Sequence, residues 1–390
     1  MKRTVISLFF LAAGLVSLVT PAAAQNVIPI TEQPLHGYYT YGQLRGVTTE
    51  EAIRSGSAAT SIPLWAYSVT ASRDSSTRTG VMVGRSPFFH GARETDIPAF
   101  IVPVKVDMPD GGVFDPAAAD ATCLASKVPS TVFGNSPLFK MTDFIMDGVD
   151  MGTTQYIDAF QRANFFMENV SVTGNRYHTV LSPVTTLAEQ TFTVPSTFGA
   201  TFSGTPCGKL GIMDLATFDS FVQSTIAPFV ASHGGGPTSL PIILLYNVVL
   251  ANPFVGTTAN CCILGYHFSF GSPVQTYSVG DLDSTGAFGA GTKDISAPSH
   301  EIGEWMNDPL GTNFVPLWGH IGQQSGCQNN LEVGDPLSGT LFPTVTLNSF
   351  TYHMQELAFF SWFMGGPSLG LDSDFSNNDA FLADAGGICS

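Results

Sequence analysis

Ser299-His300-Glu301-Ile302-Gly303-Glu304-Trp305 sets one imidazole and two carboxylates within five consecutive positions. Side chains four residues apart share one face of a helix. His300 and Glu304 could therefore grip a single cation from one helical turn. Glu301 sits about 100° around that helix, flanking the ion, where a general base takes a proton from metal-bound water. The chain has only ten Glu in 390 residues, and Glu301, Glu304 and Glu332 all lie within 32 residues of His300. A closing ligand must come from outside the helix. Asn330-Leu331-Glu332-Val333-Gly334-Asp335-Pro336 offers Glu332 and Asp335, with His320 upstream, and the preference runs Glu332, Asp335, His320. Zinc is the expected ion, and a carboxylate-rich set also admits Mn or Fe. The competing reading is a solvated or structural polar face, with His300 bonded to Glu304 and no ion.

The elements that must position these groups follow from periodicity. Ser296 is placed to cap the helix, Pro298 suits its first turn, and Asp308-Pro309 ends it. His300, Glu304 and Asn307 fall on one side; Ile302, Trp305 and Met306 fall nearly opposite and should pack the core with Trp318 and Trp362. Gly303 costs about 1 kcal/mol of helix propensity, a cost that makes sense if something approaches closely beside the ligands. Upstream, 241–250, 262–270 and 275–279 read as strands, and a peptide could add antiparallel to the edge of either of the first two. His267, on the second, could face the site but reads more simply as a satisfied histidine. Thr154 is placed to cap a helix through Phe165. Asp214 caps a stronger one through Phe229, closed by Gly234-Gly235-Gly236. Strands are expected at 64–70, 79–83, 100–108 and 113–114, and again at 344–347, 350–353 and 357–363. The class predicted is α+β: a mixed twisted sheet carrying the site helix, preceded by a β-rich region.

Composition narrows the setting. Lys2 and Arg3, the apolar run Val5 to Val19 and Ala22-Ala23-Ala24 read as a signal peptide over 1–24. A β-rich region is expected over 25–120, its first part (25–60) an arm or propeptide, and the metal-binding domain over 121–390. The net charge of −16 becomes about −18 once Lys2 and Arg3 leave, and no basic cluster survives. Nucleic acid and anionic membranes are thereby improbable partners, and no later run is long enough to span a bilayer. Secreted or periplasmic residence follows. Cys123, Cys207, Cys261, Cys262, Cys327 and Cys389 are then expected in disulfides, with the adjacent Cys261 and Cys262 bonded to different partners. Oligomeric state is not legible.

The arrangement resembles the zincin metallopeptidases, in which a sheet precedes an H-E-x-x-H helix and a third ligand follows downstream. In the glutamate-type zincins that ligand is a Glu, so the resemblance implies the role for Glu332, a base in Glu301, and a zincin-like fold for the domain. Glu304 stands where those enzymes have their second His. A carboxylate there neutralises more of the ion's charge and weakens its Lewis acidity. The chain also resembles a group of secreted bacterial proteins of unknown role, through H-E-x-x-E-W-x-x-D-P (His300 to Pro309), W-G-H-I-G (Trp318 to Gly322), C-Q-N-N-L-E-V-G-D-P (Cys327 to Pro336) and Q-E-L-A-F-F-S-W-F (Gln355 to Phe363). A fainter likeness, confined to the helix, is to plant EXORDIUM-like secreted proteins.

Other constellations compete. Gly366-Pro367-Ser368-Leu369-Gly370 fits G-x-S-x-G, but no His follows Ser368 and no helix is signalled after it. His233 before its glycines reads as a helix C-terminus. Asp281-x-Asp283-x-Thr285-Gly286 opens like a calcium loop but has Thr292 at position 12. The group Asp372, Asp374, Asn377, Asn378 and Asp379 lacks the spacing, though a structural calcium ion is conceivable at either. The expected function is a zinc-dependent peptidase acting on peptide or protein, with His320, Tyr352 or His353 steadying the oxyanion. The alternative is a non-catalytic exported cell-envelope protein whose site is structural or empty.

Overall fold

A computed structural model of the chain describes residues 27–42, 61–89, 92–385 and 389. The signal-peptide segment and much of the expected arm lie outside the described residues. A twelve-stranded mixed sheet forms the frame. Its main path runs Ile28–Pro29, Gly199–Ser203, Leu210–Asp214, Val248–Ala251, Cys261–Phe270, Gln275–Leu282, Leu240–Tyr246, Ala92–Asp107, Gln190–Thr193. Tyr38–Gly42 joins beside Cys261–Phe270, and Val113–Phe114 and Arg176–Thr186 join beside Ala92–Asp107. Strands from both sides of residue 120 thus share one sheet.

Continuous apolar runs explain the middle of the sheet. Every residue of Leu240–Tyr246 is buried, and the strand runs parallel to both neighbours, as expected for a strand covered on both faces. Ile242, Leu244 and Tyr246 join one core layer with Ile302, Trp305 and Met306. Ile243 and Leu245 join the other with Phe218, Val222, Ile226 and Val230. Helices therefore cover both faces, and the class is α+β as expected. Asp214 caps the second layer's helical run by accepting from Thr217 N at 2.9 Å. That run widens into a π turn over Val222–Ile226, just ahead of Pro228, which has no N–H to continue the ladder.

The site helix, Ser296–Asn307, has all twelve residues buried. Its expected polar face is therefore sealed inside the protein, not turned to solvent. Ser296 is its first residue and not its cap, because its Oγ is taken by Lys293 N. Asp308 ends it, its carboxylate accepting from Thr312 N and Asn313 N. What approaches Gly303 is Leu357: a Cβ at this position would lie 2.7 Å from Leu357 Cδ1. The glycine serves packing and leaves no opening beside the ligands. Trp305, Trp318 and Trp362 are buried as expected, and Trp305 donates to Thr276 Oγ1 at 2.9 Å.

Three further expectations are corrected. The helix after Thr154 is Tyr156–Asn164, preceded by Gln155, and the Thr154 hydroxyl bonds Asp158. The run from Leu357 is not one strand, since Phe360–Met364 is helical; short apolar runs carry no period to separate the two states. Finally, Cys261 and Cys262 bond to each other, because Cys123–Cys207 and Cys327–Cys389 use the remaining cysteines. Among the described residues no helix is long and apolar enough to cross a membrane.

Candidate metal centre

Three elements build the centre: the helix itself, a strand and a loop. The strand Cys261–Phe270 pairs antiparallel with Gln275–Leu282, and alternation puts Tyr266 in the far core layer and His267 on the helix side. Gly265 shares that side. A Cβ on Gly265 would lie 2.6 Å from Glu301 Cγ, so the missing side chain is the space through which Glu301 reaches His267. The third element is the loop after Gln324–Asn330, which delivers Glu332 and Asp335. There a Cβ on Gly334 would fall 2.4 Å from His300 Nδ1, so this glycine lets the loop close over the imidazole.

The result is a cluster of six. His300 Nε2 lies 3.0 Å from Glu304 Oε1 and 3.4 Å from Asp335 Oδ1. His267 Nδ1 lies 3.2 Å from Glu301 Oε2 and 3.8 Å from Glu304 Oε2, and its Nε2 lies 3.9 Å from Glu332 Oε2. Glu332 rests against Glu304 and accepts from Asn330 Nδ2 at 2.8 Å. The N–H groups of Gly334 and Asp335 both donate to Glu304 Oε1, fixing the central carboxylate. Two trios each have donor atoms within 4.8 Å of one another: His300, Glu304, Asp335 and His267, Glu301, Glu304. Glu301 Oε1 and Glu332 Oε2 accept no hydrogen bond although both are buried.

Burial sets the electrostatics. None of the six residues is more than 4% exposed, and holding ionised groups out of water costs several kcal/mol each. Burial, reinforced by the Glu304 charge, pushes the Glu301 and Glu332 carboxyls well above the usual range and Asp335 up to about 6. For Glu304 burial is outweighed by His300, and its pKa falls. Burial likewise disfavours protonated His300, but Glu304, Asp335 and Glu301 pull its pKa well above the ordinary value. His267 goes the other way, lowered by burial to about 4, so its ring is neutral and able to act as a ligand. These residues fit a divalent ion: imidazole and carboxylate donors, converging, sealed, with unmet oxygens.

The cluster has a cover that sequence reading missed. Tyr38–Gly42 runs parallel to Cys261–Phe270, pairing Tyr39 with Gly265 and Tyr41 with His267. The Tyr39 ring stacks on His300 with centroids 3.6 Å apart and planes 19° apart. Gln323 clamps the strand, accepting from Tyr39 N and donating to Tyr39 O. This strand occupies the stretch of edge where a peptide was expected to add. The other expected edge does not exist, because Leu240–Tyr246 has a neighbour on each side.

The remaining sequence candidates separate clearly. Asp335 joins His300 directly, whereas Glu332 reaches the cluster through Glu304 and His267. His320 is exposed beside Cys327, on the hairpin of Phe314–Ile321 and Gln324–Asn330. Tyr352 donates to Val132 O and His353 pairs with Asp294 at 2.6 Å. None of these three is gathered into the cluster. Ser368 Oγ is engaged by Asp374 O and Gly370 N, and His233 Nδ1 by Phe229 O. Asp283 folds onto Thr285 and Gly286 as a closed turn. The signal for His267 was present: a histidine two residues from a strand glycine, just upstream of a ligand-bearing helix.

Comparison with protein-family models, curated proteins and solved structures finds no match to this chain.

Proposed function

We propose that this is an exported metal-dependent hydrolase acting on peptide bonds. The observation that carries the reading is the pairing of a cation grip, His300 and Glu304 closed by Asp335, with a neighbouring carboxylate whose Oε1 is unmet. The order of sheet, helix and ligand loop supports it by analogy with the zincins. A divalent ion held there would supply Lewis acidity, acidifying a water and polarising the scissile carbonyl. The chain's own residues do the rest. Glu301 Oε1 accepts the water proton and returns it to the departing amide nitrogen, so that one C–N bond is exchanged for one C–O bond. His267, neutral, holds the other oxygen of Glu301 and fixes its direction. Gly334 and Asp335 hold Glu304 in place through their N–H groups.

Access requires the Tyr38–Gly42 strand to leave its edge, after which an extended peptide can pair along Cys261–Phe270. Complete burial favours a second reading, a structural ion in a non-catalytic exported protein. Cleavage of an unfolded protein by the cation-loaded chain, by its Tyr39→Ala variant, and by Glu301→Gln in each background separates the two. The hydrolase reading expects turnover that the Glu301 change abolishes while the ion at His300 stays bound. Cleavage untouched by Glu301→Gln rejects it, and so does a loaded Tyr39→Ala protein that cuts nothing.

A further inference from the structure

Building on the metal-dependent reading above, we propose that the centre holds two divalent cations bridged by Glu304, one on His300, Glu304 and Asp335, the other on His267, Glu301 and Glu304. The two trios have only Glu304 in common, and its oxygens are divided between them. Oε1 is 3.0 Å from His300 Nε2, and Oε2 is 3.8 Å from His267 Nδ1. Donor atoms that each lie ~2.1 Å from one cation are themselves roughly 3–4 Å apart. The separations of 3.0 and 3.4 Å in one trio and 3.2 and 3.8 Å in the other fall in that window. Among the described residues the two imidazoles fall in separate trios, and no group of mutually close donor atoms holds both.

Charge gives an independent argument. Glu301, Glu304, Glu332 and Asp335 bring four carboxylates into a space closed to water. Were all four ionised, one divalent ion would leave two negative charges there and two ions would match all four; uncompensated buried charge is what proteins avoid. The ring of His267 is set for a ligand role. Its Nδ1 faces the trio, and its Nε2, buried without a hydrogen-bond partner, lies 3.9 Å from Glu332 Oε2. Two imidazoles with four carboxylates form the donor set of dinuclear carboxylate centres in helical bundles. Here a strand, a helix and a loop supply it, and Mn, Fe or Zn is the class of ion it takes. Glu301 would bind through Oε2 only, the second ion replacing the direct His267 contact to that oxygen, which leaves Oε1 to receive the proton.

The test uses the full chain, stripped with chelator, reloaded with Mn²⁺, desalted and assayed for bound metal and by EPR. Two ions per chain with an exchange-coupled spectrum are expected, since metals sharing a carboxylate sit ~3.5–4 Å apart. His267→Asn should bind one ion and give an uncoupled six-line signal. One uncoupled ion in the unaltered protein overturns the second site while leaving the hydrolase reading intact. Two uncoupled ions that survive His267→Asn place the second ion elsewhere and also overturn it. No bound ion ends both readings. The stoichiometry and spectrum of the unaltered chain decide the matter even if the variant does not fold.

Discussion

Two acidic clusters among the described residues satisfy the same distance test and have opposite physical meaning. Asp147, Asp374 and Asp379 bring carboxylate oxygens within 4.8 Å of one another, as each trio of the buried centre does. Asp379 is exposed and the other two are partly so. Burial and the neighbouring Asp379 raise Asp374 to about 6, a repulsion that water and salt screen. In the buried centre the same proximity occurs where water cannot enter, and every charge needs a partner from the protein or an ion. Proximity of acids is thus weak evidence of a cation site. Proximity with desolvation, mixed imidazole donors and unmet oxygens is the better ground for proposing one.

The sharpest way to break that contrast is to neutralise one carboxylate in each cluster. Glu301→Gln should lower turnover by 10²–10⁴-fold, the range of general-base catalysis, with folding retained by near-UV circular dichroism. Asp374→Asn should leave turnover unchanged. Equal effects would mean that the buried carboxylate has no chemical role the surface one lacks.

Removing ions is the next test. Saturation at a thousandfold above Kd contributes about 4 kcal/mol of stability, so a chelator should lower the denaturant midpoint substantially. The pH dependence has a definite sign. In the stripped protein Asp335 is raised to about 6, and Glu301 and Glu332 are raised further, against about 4 in the unfolded chain. Between these values the folded state keeps protons that the unfolded chain has released. The contribution of these three carboxyls is therefore full below about pH 4 and declines as pH rises through about 6, whereas Glu304, lowered by His300, contributes stability that is lost on acidification. Bound cations replace those protons and should flatten the decline. Glu356, raised to about 7 by burial, adds a slope of the same sign away from the centre. The difference between stripped and loaded titrations isolates the cluster, and curves that stay parallel would show that no ion binds there.

The contrast also explains which parts of the site could be read from the chain. His300, Glu301 and Glu304 were legible because helical period alone puts i and i+4 on one face. Glu332 and Asp335 were legible as a pair but not in order, since loop geometry, not spacing, decides which carboxylate meets His300. His267 was only half legible. Strand alternation separates it from Tyr266 and Phe268 without telling which layer holds the helix. Tyr39 was not legible at all: a parallel strand brought in from the N-terminal region leaves no local pattern. The sheet's middle strands were readable from their unbroken apolar runs, whereas the run from Leu357 misled because both strand and helix can bury it.

Tyr39→Ala probes the cover that makes one cluster buried and the other not. Deleting a buried aromatic side chain costs about 3–5 kcal/mol. Loss of the ring stacked on His300 should also admit water, and chelators should then strip the ion at least tenfold faster in a metal-release assay. Tyr41→Ala, whose ring lies farther from its histidine at 6.2 Å, should speed release less. Release rates that are equal in all three proteins would show that this strand does not gate the centre.

The smallest effect belongs to the surface cluster itself. Asp379→Asn removes one of three like charges at an exposed position. With no calcium bound, relief of repulsion should leave stability within about 0.5 kcal/mol of the parent, on the stabilising side if anything. The outcome that matters is its response to calcium. If the three aspartates were a built cation site, millimolar Ca²⁺ would raise the melting temperature of the parent and not of the variant. Identical curves are expected, because Asp147 and Asp374 come from separate turns and are partly open to solvent. A calcium-dependent difference would mean that exposed oxygens alone can organise a site here, and the weight placed on desolvation in the buried centre would have to be reduced accordingly.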